Sequence, residues 1–183
     1  WKYLKTKANI IDNNIAEELE TPKIPKKVVR YMTLEECVRL LIEASNSYTR
    51  DYCILTIFLN CALRLYELAK LNMEQVESDI MTVIGKGNKE RKIYLTPAVK
   101  QSINKWMKIR RSIDVDTNAL FISRNNRRLT TRSIQNVVKK HIVAVGINPD
   151  GLSTHKLRHT SATLMYKYGH VDIRYRKFSV MKV

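Results

Sequence analysis

A proton-transfer group and an anion-binding group stand close together near the C-terminal end of the sequence. His155 and Arg158 lie three residues apart in Thr-His-Lys-Leu-Arg-His, so they share one face if this stretch is helical. Ser153 or Thr154 is suited to cap such a helix, whose first turn attracts anions through its free amides and its dipole. A guanidinium binds a phosphate through paired N–H donors, and an imidazole transfers protons. The pattern therefore predicts a site where a bound phosphate undergoes chemistry.

A second arginine, Arg64, follows an apolar stretch at residues 53–63 that is typical of a central core helix. An unpaired charge beside a core is costly, so this position needs an explanation. One interpretation is a structural ion pair with Glu67, three residues further on. The other is that a rigid, mostly dry wall holds Arg64 ready to bind an anion. The sequence leaves both interpretations open.

A lysine lies between two glycines in a predicted β-hairpin. Residues 80–84 and 91–95 are rich in strand-forming side chains, and Gly85, Lys86 and Gly87 begin the turn between them. Glycine neighbours allow both backbone and lysine to approach a phosphate closely. The stretch is not a nucleotide-binding P-loop, because no Gly-Lys-Ser/Thr sequence begins a helix there. The simpler alternative is a flexible basic turn that touches a nucleic-acid backbone.

Further elements are predicted to position these residues. Helices are expected to begin after Thr33, which opens a capping box, and after Thr96, which precedes a proline. Residues 119–122 are predicted to form a short buried strand, and residues 131–145 a helix. One side of that helix suits base contacts in a DNA major groove, although such a side is often only a solvated face. Its polar residues are Arg132, Gln135, Asn136, Lys139 and Lys140.

Composition favours a polyanionic partner. The 183 residues carry 33 Lys and Arg against 17 Asp and Glu, a formal net charge of +16 that is spread along the chain. A folded basic face is therefore expected, but RNA-binding proteins share this composition. The three cysteines form no Cys-x-x-Cys pair and are interpreted as reduced core thiols. We recognise no signal peptide and no apolar stretch long enough to span a bilayer, so a cytoplasmic protein is expected.

A linker with two prolines and several lysines, residues 20–27, divides the chain. The segment before it lacks a convincing core of its own. We therefore predict a remnant of a preceding domain with its linker at residues 1–28, a main domain at residues 29–174 and an atypical tail at residues 175–183.

Four segments resemble the catalytic domain of the tyrosine recombinases, of the phage-integrase and Xer type. They are the linker at residues 19–23, the first arginine motif at 62–68, the hairpin lysine motif at 84–91 and the histidine–arginine box at 155–160. Their order and spacing carry the resemblance, which covers about residues 19–174. It implies a mainly α fold with a small antiparallel β-sheet, an α+β architecture.

The resemblance implies site-specific recombination of double-stranded DNA through a 3′-phosphotyrosyl intermediate, without a metal or other cofactor. Arg64 and Arg158 would hold the non-bridging oxygens of the scissile phosphate. Lys86 would protonate the leaving 5′-oxygen, His155 would assist proton transfer, and Glu67 would support the site structurally. DNA contacts are expected from Lys89, Arg91, Arg132, Asn136, Lys139 and Lys140.

The sequence departs from the family pattern after the box. The family places a Leu-Gly-His turn and then its nucleophilic tyrosine, roughly thirty residues past the second arginine. Here the Tyr-Gly-His that ends at His170 comes too early, and Tyr175 lies in a context unlike the pattern. We identify no nucleophile and assign neither residue a catalytic role. This chain is therefore expected to bind duplex DNA and to cleave it poorly or not at all.

Three other interpretations are weaker. A non-catalytic basic DNA- or RNA-binding module explains the charge but not the positions of Arg64 and Lys86. His155 and His159 are spaced for a metal site, but no carboxylate or cysteine accompanies them, so no metal is predicted. A type IB topoisomerase shares the chemistry, although the motif spacing fits integrases better. By the resemblance, the full-length protein is a cytoplasmic homo-tetramer on DNA, of bacterial, phage or mobile-element origin, with no membrane partner.

Overall fold

The computed structural model describes residues 1–19, 30–85, 87, 89–150 and 152–168. Its helices are α1 (Lys2–Thr6), α2 (Leu34–Ser45), α3 (Thr49–Cys61), α4 (Leu65–Lys70), α5 (Pro97–Arg111), α6 (Thr131–Ala144) and α7 (Thr154–Tyr168). Strands β1 (Ile80–Ile84) and β2 (Glu90–Tyr94) form an antiparallel sheet, and short 3-10 helices cover Ile15–Glu18 and Glu74–Val76. The prediction of a mainly α fold with a small antiparallel sheet is confirmed.

Helix α3 lies at the centre of the hydrophobic core. Every residue from Asp51 to Cys61 is buried, and helices α2, α5, α6 and α7 all pack against it. Because the sequence of α3 is apolar nearly all round, no side of the helix has to face water. Cys37, Cys53 and Cys61 are buried free thiols, as predicted, and burial raises the pKa of Cys37 and of Cys53 to about 12.

Threonine caps begin three of the long helices. The Thr33 hydroxyl accepts from the backbone N–H of Glu36, whose carboxylate accepts from the backbone N–H of Thr33, so the predicted capping box is present. Thr96 and Thr130 each accept from the N–H three residues further on. These side chains satisfy amide donors that a helix start leaves without partners.

The strand predicted at residues 119–122 does not form a ladder. Its two ends make isolated bridges to different segments, Asn72 with Ala119 and Ile122 with Arg128. Its four residues are all buried, so the apolar pattern correctly indicated burial. The strand prediction itself was wrong, because each of these contacts is a single isolated bridge and not part of a ladder.

The β-hairpin turns one arginine toward the inside of the protein. Val83 of β1 lies opposite Arg91 of β2, and Met81 lies opposite Ile93. Directly opposed residues share a face of the sheet, and Met81 and Val83 are buried. Arg91 and Ile93 therefore lie on the core side of β2. The alternate residues Glu90, Lys92 and Tyr94 are exposed.

A buried ionic network fixes α6 to α2 and α3. The His141 ring on α6 is fully buried, with Nδ1 hydrogen-bonded to the Glu43 carboxylate and Nε2 lying 3.2 Å from Asp51 Oδ2. Both ring nitrogens face acceptors, so the ring donates from both only as an imidazolium. The hydrogen bond to Asp51 raises the pKa of His141, and Glu43 adds to this effect against the opposing effect of burial.

Asp51 connects the same network to the core. Its Oδ1 accepts from Arg50 Nε at 3.0 Å and from Arg50 Nη2 at 2.9 Å, while Arg50 Nη1 donates to the Ile122 carbonyl at 2.9 Å. Burial acts to raise the pKa of Asp51, but the bonds from His141 and Arg50 outweigh it and lower that pKa. Three helices are thereby held together by paired charges rather than by apolar packing alone.

Candidate functional site

The start of α4 positions Arg64. Helix α3 ends at Cys61, and the backbone of the next residue, Ala62, is left-handed with φ 48° and ψ 37°, a conformation that costs a non-glycine residue about 1–2 kcal/mol. The chain turns sharply there, and Arg64 becomes the residue immediately before α4. The turn therefore brings Arg64 out of the core helix and onto the end of the next one.

Glu67 holds Arg64 in place. Its Oε2 accepts from the Arg64 backbone N–H at 2.7 Å, and its Oε1 accepts from Arg64 Nη1 at 2.9 Å. Only 2% of the Glu67 side chain is exposed, whereas 54% of the Arg64 side chain is exposed. The structural ion pair considered from the sequence is present, yet it leaves the guanidinium open to solvent. The geometry is compatible with both interpretations of Arg64 at once.

Arg91 binds the same carboxylate from β2. Its Nη1 donates to Glu67 Oε1 and its Nη2 donates to Glu67 Oε2, each at 2.7 Å. This bidentate pair joins two planar groups side by side, which is the strongest arrangement for an arginine and a carboxylate. It joins the hairpin to α4 across 24 residues of sequence.

Arg158, on α7, lies close to Glu67 but does not hydrogen-bond to it. Its Nη1 lies 3.9 Å from Glu67 Oε2, too far for a hydrogen bond. That nitrogen is buried and has no hydrogen-bond partner among the residues that the structure describes. About a third of the side chain, 32%, is exposed. Arg158 therefore presents an unsatisfied donor beside the two arginines that Glu67 does bind.

The electrostatics reflect three guanidinium groups around one carboxylate. Burial acts to raise the pKa of Glu67, but hydrogen bonds from Arg91 and Arg64 outweigh it and lower that pKa to about 2. Burial lowers the pKa of Arg158, and the positive charges of Arg64 and Arg91 lower it further. The four ionised side chains leave a net charge of +2 around this point. We call them the arginine cluster.

The remaining predicted catalytic residues are His155 and Lys86. His155 is exposed on α7, one turn before Arg158, and its ring centroid is 6.5 Å from that of His159. Lys86 lies outside the described residues, but its neighbour Gly85 is close to the cluster. A Cβ built on Gly85 would lie 3.6 Å from Glu67 Oε1 and 3.6 Å from Arg91 Nη1.

The basic side chains predicted to contact DNA fall into two groups. Arg91 belongs to the arginine cluster, whereas Lys89 is exposed at the hairpin. Helix α6 packs against α4, and the Nζ of Lys140 lies 4.9 Å from the centroid of the Tyr48 ring. None of the ion pairs found among the described residues joins the α6 side chains to the arginine cluster. The exposed polar residues of α6 are Arg132, Gln135, Asn136, Lys139 and Lys140.

Sequence reasoning missed the inward orientation of Arg91. The signal was available in the two-residue period of the strand, since Arg91 shares its face with the apolar Ile93 rather than with Lys92. The His141 network was also missed, because Glu43 and Asp51 are 98 and 90 residues away from it in sequence. His170 and Tyr175 lie outside the described residues.

The described part of the chain lacks two features, a membrane-spanning helix and a cluster of metal ligands. No helix there is long and apolar enough to cross a bilayer. No group of three or more His, Cys, Asp or Glu side chains there is arranged to hold a metal ion. The pairing of His155 with His159 therefore has no third ligand of these types within that part of the chain.

Comparison with known proteins places this chain in a family. The sequence profile of the phage integrase family matches residues 30–175. The chain belongs to that family, so the resemblance proposed from its four segments is confirmed. A tyrosine recombinase XerC of Caldanaerobacter subterraneus subsp. tengcongensis is 45% identical over 176 residues, which cover 95% of this chain and 50% of that protein.

Solved structures agree with this assignment. A crystal structure of XerA recombinase matches with a TM-score of 0.72 at 27% identity, over 86% of this chain and 56% of that chain. A structure of XerH site-specific recombinase bound to difH substrate matches with a TM-score of 0.66 at 20% identity, over 82% and 48%. The latter likeness concerns the fold alone. This chain spans about half the length of each of these relatives.

Proposed function

We propose that this chain is the catalytic domain of a site-specific recombinase that binds duplex DNA and holds one phosphodiester between Arg64 and Arg158. The observation that carries the proposal is the buried Arg158 Nη1 without a partner among the described residues. An unsatisfied buried donor costs about 1–3 kcal/mol, and an anion at this point would remove that cost. The net charge of +2 around the arginine cluster supplies the attraction.

The cluster suits transesterification at a phosphodiester. A tyrosine oxygen would form a bond to phosphorus while the bond to the leaving 5′-oxygen breaks, giving a 3′-phosphotyrosyl link and a 5′-hydroxyl. Negative charge accumulates on the non-bridging oxygens as both bonds change, and guanidinium donors stabilise it. Arg64 is held rigidly for this role by two bonds to Glu67. No metal is invoked, because the arginines supply the positive charge.

Two groups are proposed to move protons. Lys86 would give a proton to the leaving 5′-oxygen, an assignment supported by the proximity of its neighbour Gly85 to Glu67 and Arg91. His155 shares the α7 face with Arg158 and is exposed, so its ring is available to accept the proton of the attacking hydroxyl or to contact the phosphate. Both roles come from the family resemblance.

DNA binding is proposed to use the outer face of α6 and the hairpin. The formal charge of +16 favours a polyanion, and the side chains of Arg132, Asn136 and Lys139 are exposed on one helix. Lys89 and Lys140 are assigned the same role. We also propose a homo-tetramer on DNA in the cytoplasm of a bacterial or phage-infected cell, supported by the XerC relative of bacterial origin.

The 183 residues by themselves are proposed to cleave DNA poorly. Tyr175 follows Arg158 by 17 residues, and its surroundings do not match the family motif. Incubation with a bound duplex followed by denaturing electrophoresis tests this part. Absence of an SDS-resistant adduct is expected, and an adduct mapped to a tyrosine of this chain would overturn it without affecting the phosphate-binding proposal.

The main test separates a phosphate site from general basicity. A duplex is first selected from a random library by binding to the wild-type chain, and its affinity is then measured against salt. Replacing both Lys139 and Lys140 by alanine is expected to reduce the slope of log affinity against log salt by about 2, because two phosphate contacts are lost. Replacing both Arg64 and Arg158 is expected to weaken binding at least about tenfold. If the arginine variant binds like wild type, the chain is a basic binding module and the proposal fails.

A further inference from the structure

The arginine cluster contains one more arginine than a two-arginine phosphate clamp requires. Arg91 donates to both Glu67 oxygens at 2.7 Å, and 36% of its side chain is exposed. An arginine on a hairpin beside bound DNA would ordinarily be expected to contact a phosphate itself. Here both terminal nitrogens are engaged with a buried carboxylate instead, so its role needs another explanation.

Arg91 and Arg64 together fill the acceptor sites of Glu67. Oε1 accepts from Nη1 of both arginines, and Oε2 accepts from Arg91 Nη2 and the Arg64 backbone N–H. A carboxylate has about four lone-pair directions, and four donors already use them. Arg158 Nη1, at 3.9 Å from Oε2, is consequently left without a bond to Glu67. This nitrogen is buried and has no hydrogen-bond partner among the described residues.

We propose that Arg91 is a positioning residue that occupies Glu67 and thereby keeps Arg158 free to bind the phosphate. The inference rests on the proposed function, in which Arg64 and Arg158 hold that phosphate. Without Arg91, two acceptor sites of Glu67 become vacant, and Arg158 closes the gap to fill one of them. The site then loses a phosphate donor although no phosphate contact has been deleted.

Loss of Arg91 is expected to weaken phosphate binding in a second way. Arg91 joins β2 to α4, and Gly85 at the other end of the turn lies beside the same carboxylate. The pair therefore holds the hairpin that carries Lys86 against the helix that carries Glu67. Loss of Arg91 also lowers the net charge of the cluster from +2 to +1.

The test compares four chains: wild type, Arg91→Ala, Arg158→Ala and the double variant Arg91→Ala/Glu67→Gln. The double variant removes the carboxylate that would capture Arg158 and restores the cluster charge to +2. The probes are inorganic phosphate, followed through the side-chain N–H signals of the arginines by NMR, and the selected duplex. Arg91→Ala is expected to weaken binding of both by about tenfold, and the double variant to recover most of that loss.

Lys92→Ala is the matched control. Lys92 is the exposed neighbour of Arg91 on β2. Its replacement by alanine removes one positive charge, as Arg91→Ala does, but removes no bond to Glu67. It is expected to leave phosphate binding within about twofold of wild type, since exposed charges interact weakly through water. Arg91→Lys is expected to fall between wild type and Arg91→Ala, because one ammonium cannot fill both carboxylate oxygens as a guanidinium does.

The outcomes separate the two proposals. If the double variant binds phosphate as weakly as Arg91→Ala, removing the carboxylate does not restore the site, and the positioning role is wrong. If Arg91→Ala binds like wild type while Arg158→Ala does not, the positioning role is wrong and the phosphate site stands. If Arg158→Ala also binds like wild type, the proposed function fails. Thermal unfolding of each variant identifies any loss caused by misfolding, and the double variant then supplies the deciding comparison.

Discussion

The arginine cluster and the His141 network are two ionic groups that differ in charge balance and in whether their donors all have partners. In the first, one buried carboxylate, Glu67, faces three guanidinium groups and leaves a net charge of +2 with one donor unsatisfied. In the second, the buried ring of His141 lies between the Glu43 and Asp51 carboxylates, and Arg50 also pairs with Asp51. All partners of His141 come from the protein, whereas Arg158 lacks one among the described residues.

The difference separates a binding site from a structural brace. Burying charges is costly, and a network whose positive and negative groups find partners within the protein recovers that cost internally. A surplus of one sign with an unpaired donor does not, so it is stabilised by an external ligand of the opposite sign. The arginine cluster is therefore expected to bind an anion as well as to stabilise the fold, whereas the His141 network is expected to contribute to stability alone.

The largest expected effect comes from removing the centre of the arginine cluster. Glu67→Gln leaves Arg64, Arg91 and Arg158 close together without a counter-charge, and we expect a loss of about 3 kcal/mol in the free energy of unfolding. Urea denaturation at neutral pH measures it. The control is Glu77→Gln, whose partner Arg111 is 63% exposed, and it should cost less than about 1 kcal/mol. Equal losses in the two variants would mean that the cluster is no more than a surface ion pair.

A somewhat smaller effect is expected from removing the centre of the His141 network. His141→Ala leaves the Asp51 carboxylate paired with Arg50, and the partly exposed Glu43 has access to water. We expect a loss of about 2–3 kcal/mol in the free energy of unfolding. Phosphate affinity should stay within about twofold of wild type, because the ring touches no part of the proposed anion site. A tenfold loss of phosphate affinity in a folded His141→Ala chain would remove the distinction between the two networks.

The two networks should also respond to pH in opposite directions. The pKa of His141 is raised above its ordinary 6.5, so its contribution is fully present below pH 6.5 and is lost as pH rises through the raised value. The pKa of Glu67 is lowered from 4.5 to about 2, so its contribution is present above pH 4.5 and is lost as pH falls toward 2.

Unfolding free energies measured across pH for wild type, His141→Ala and Glu67→Gln give both contributions by difference. The wild-type advantage over His141→Ala should shrink toward alkaline pH, and the advantage over Glu67→Gln should shrink toward acidic pH. A His141 contribution that grew as pH rose would show that the ring is neutral in the folded protein. It would then be held by a single donated bond.

Local signals predicted much of the fold and the ion pair of Arg64 with Glu67. The capping box at Thr33 and the apolar helix α3 each follow from residues near one another in sequence. The contacts of Glu67 show the limit of prediction from local sequence. Its bond to Arg64 was foreseeable at a spacing of three residues, but its bond to Arg91 joins segments 24 residues apart. The predicted strand at residues 119–122 failed for the same reason, since strand formation depends on a partner elsewhere in the chain.

The measurement that tests the central claim most directly replaces single phosphates of the selected duplex by neutral methylphosphonates, one position at a time. Each duplex is bound to wild type and to the Arg64→Ala/Arg158→Ala chain. At one position, neutralising the phosphate should weaken wild-type binding by about tenfold or more and leave the double variant unchanged, because both changes remove the same interaction. If the losses from the phosphate and from the arginines simply add at every position, no phosphate lies between Arg64 and Arg158, and the account is wrong.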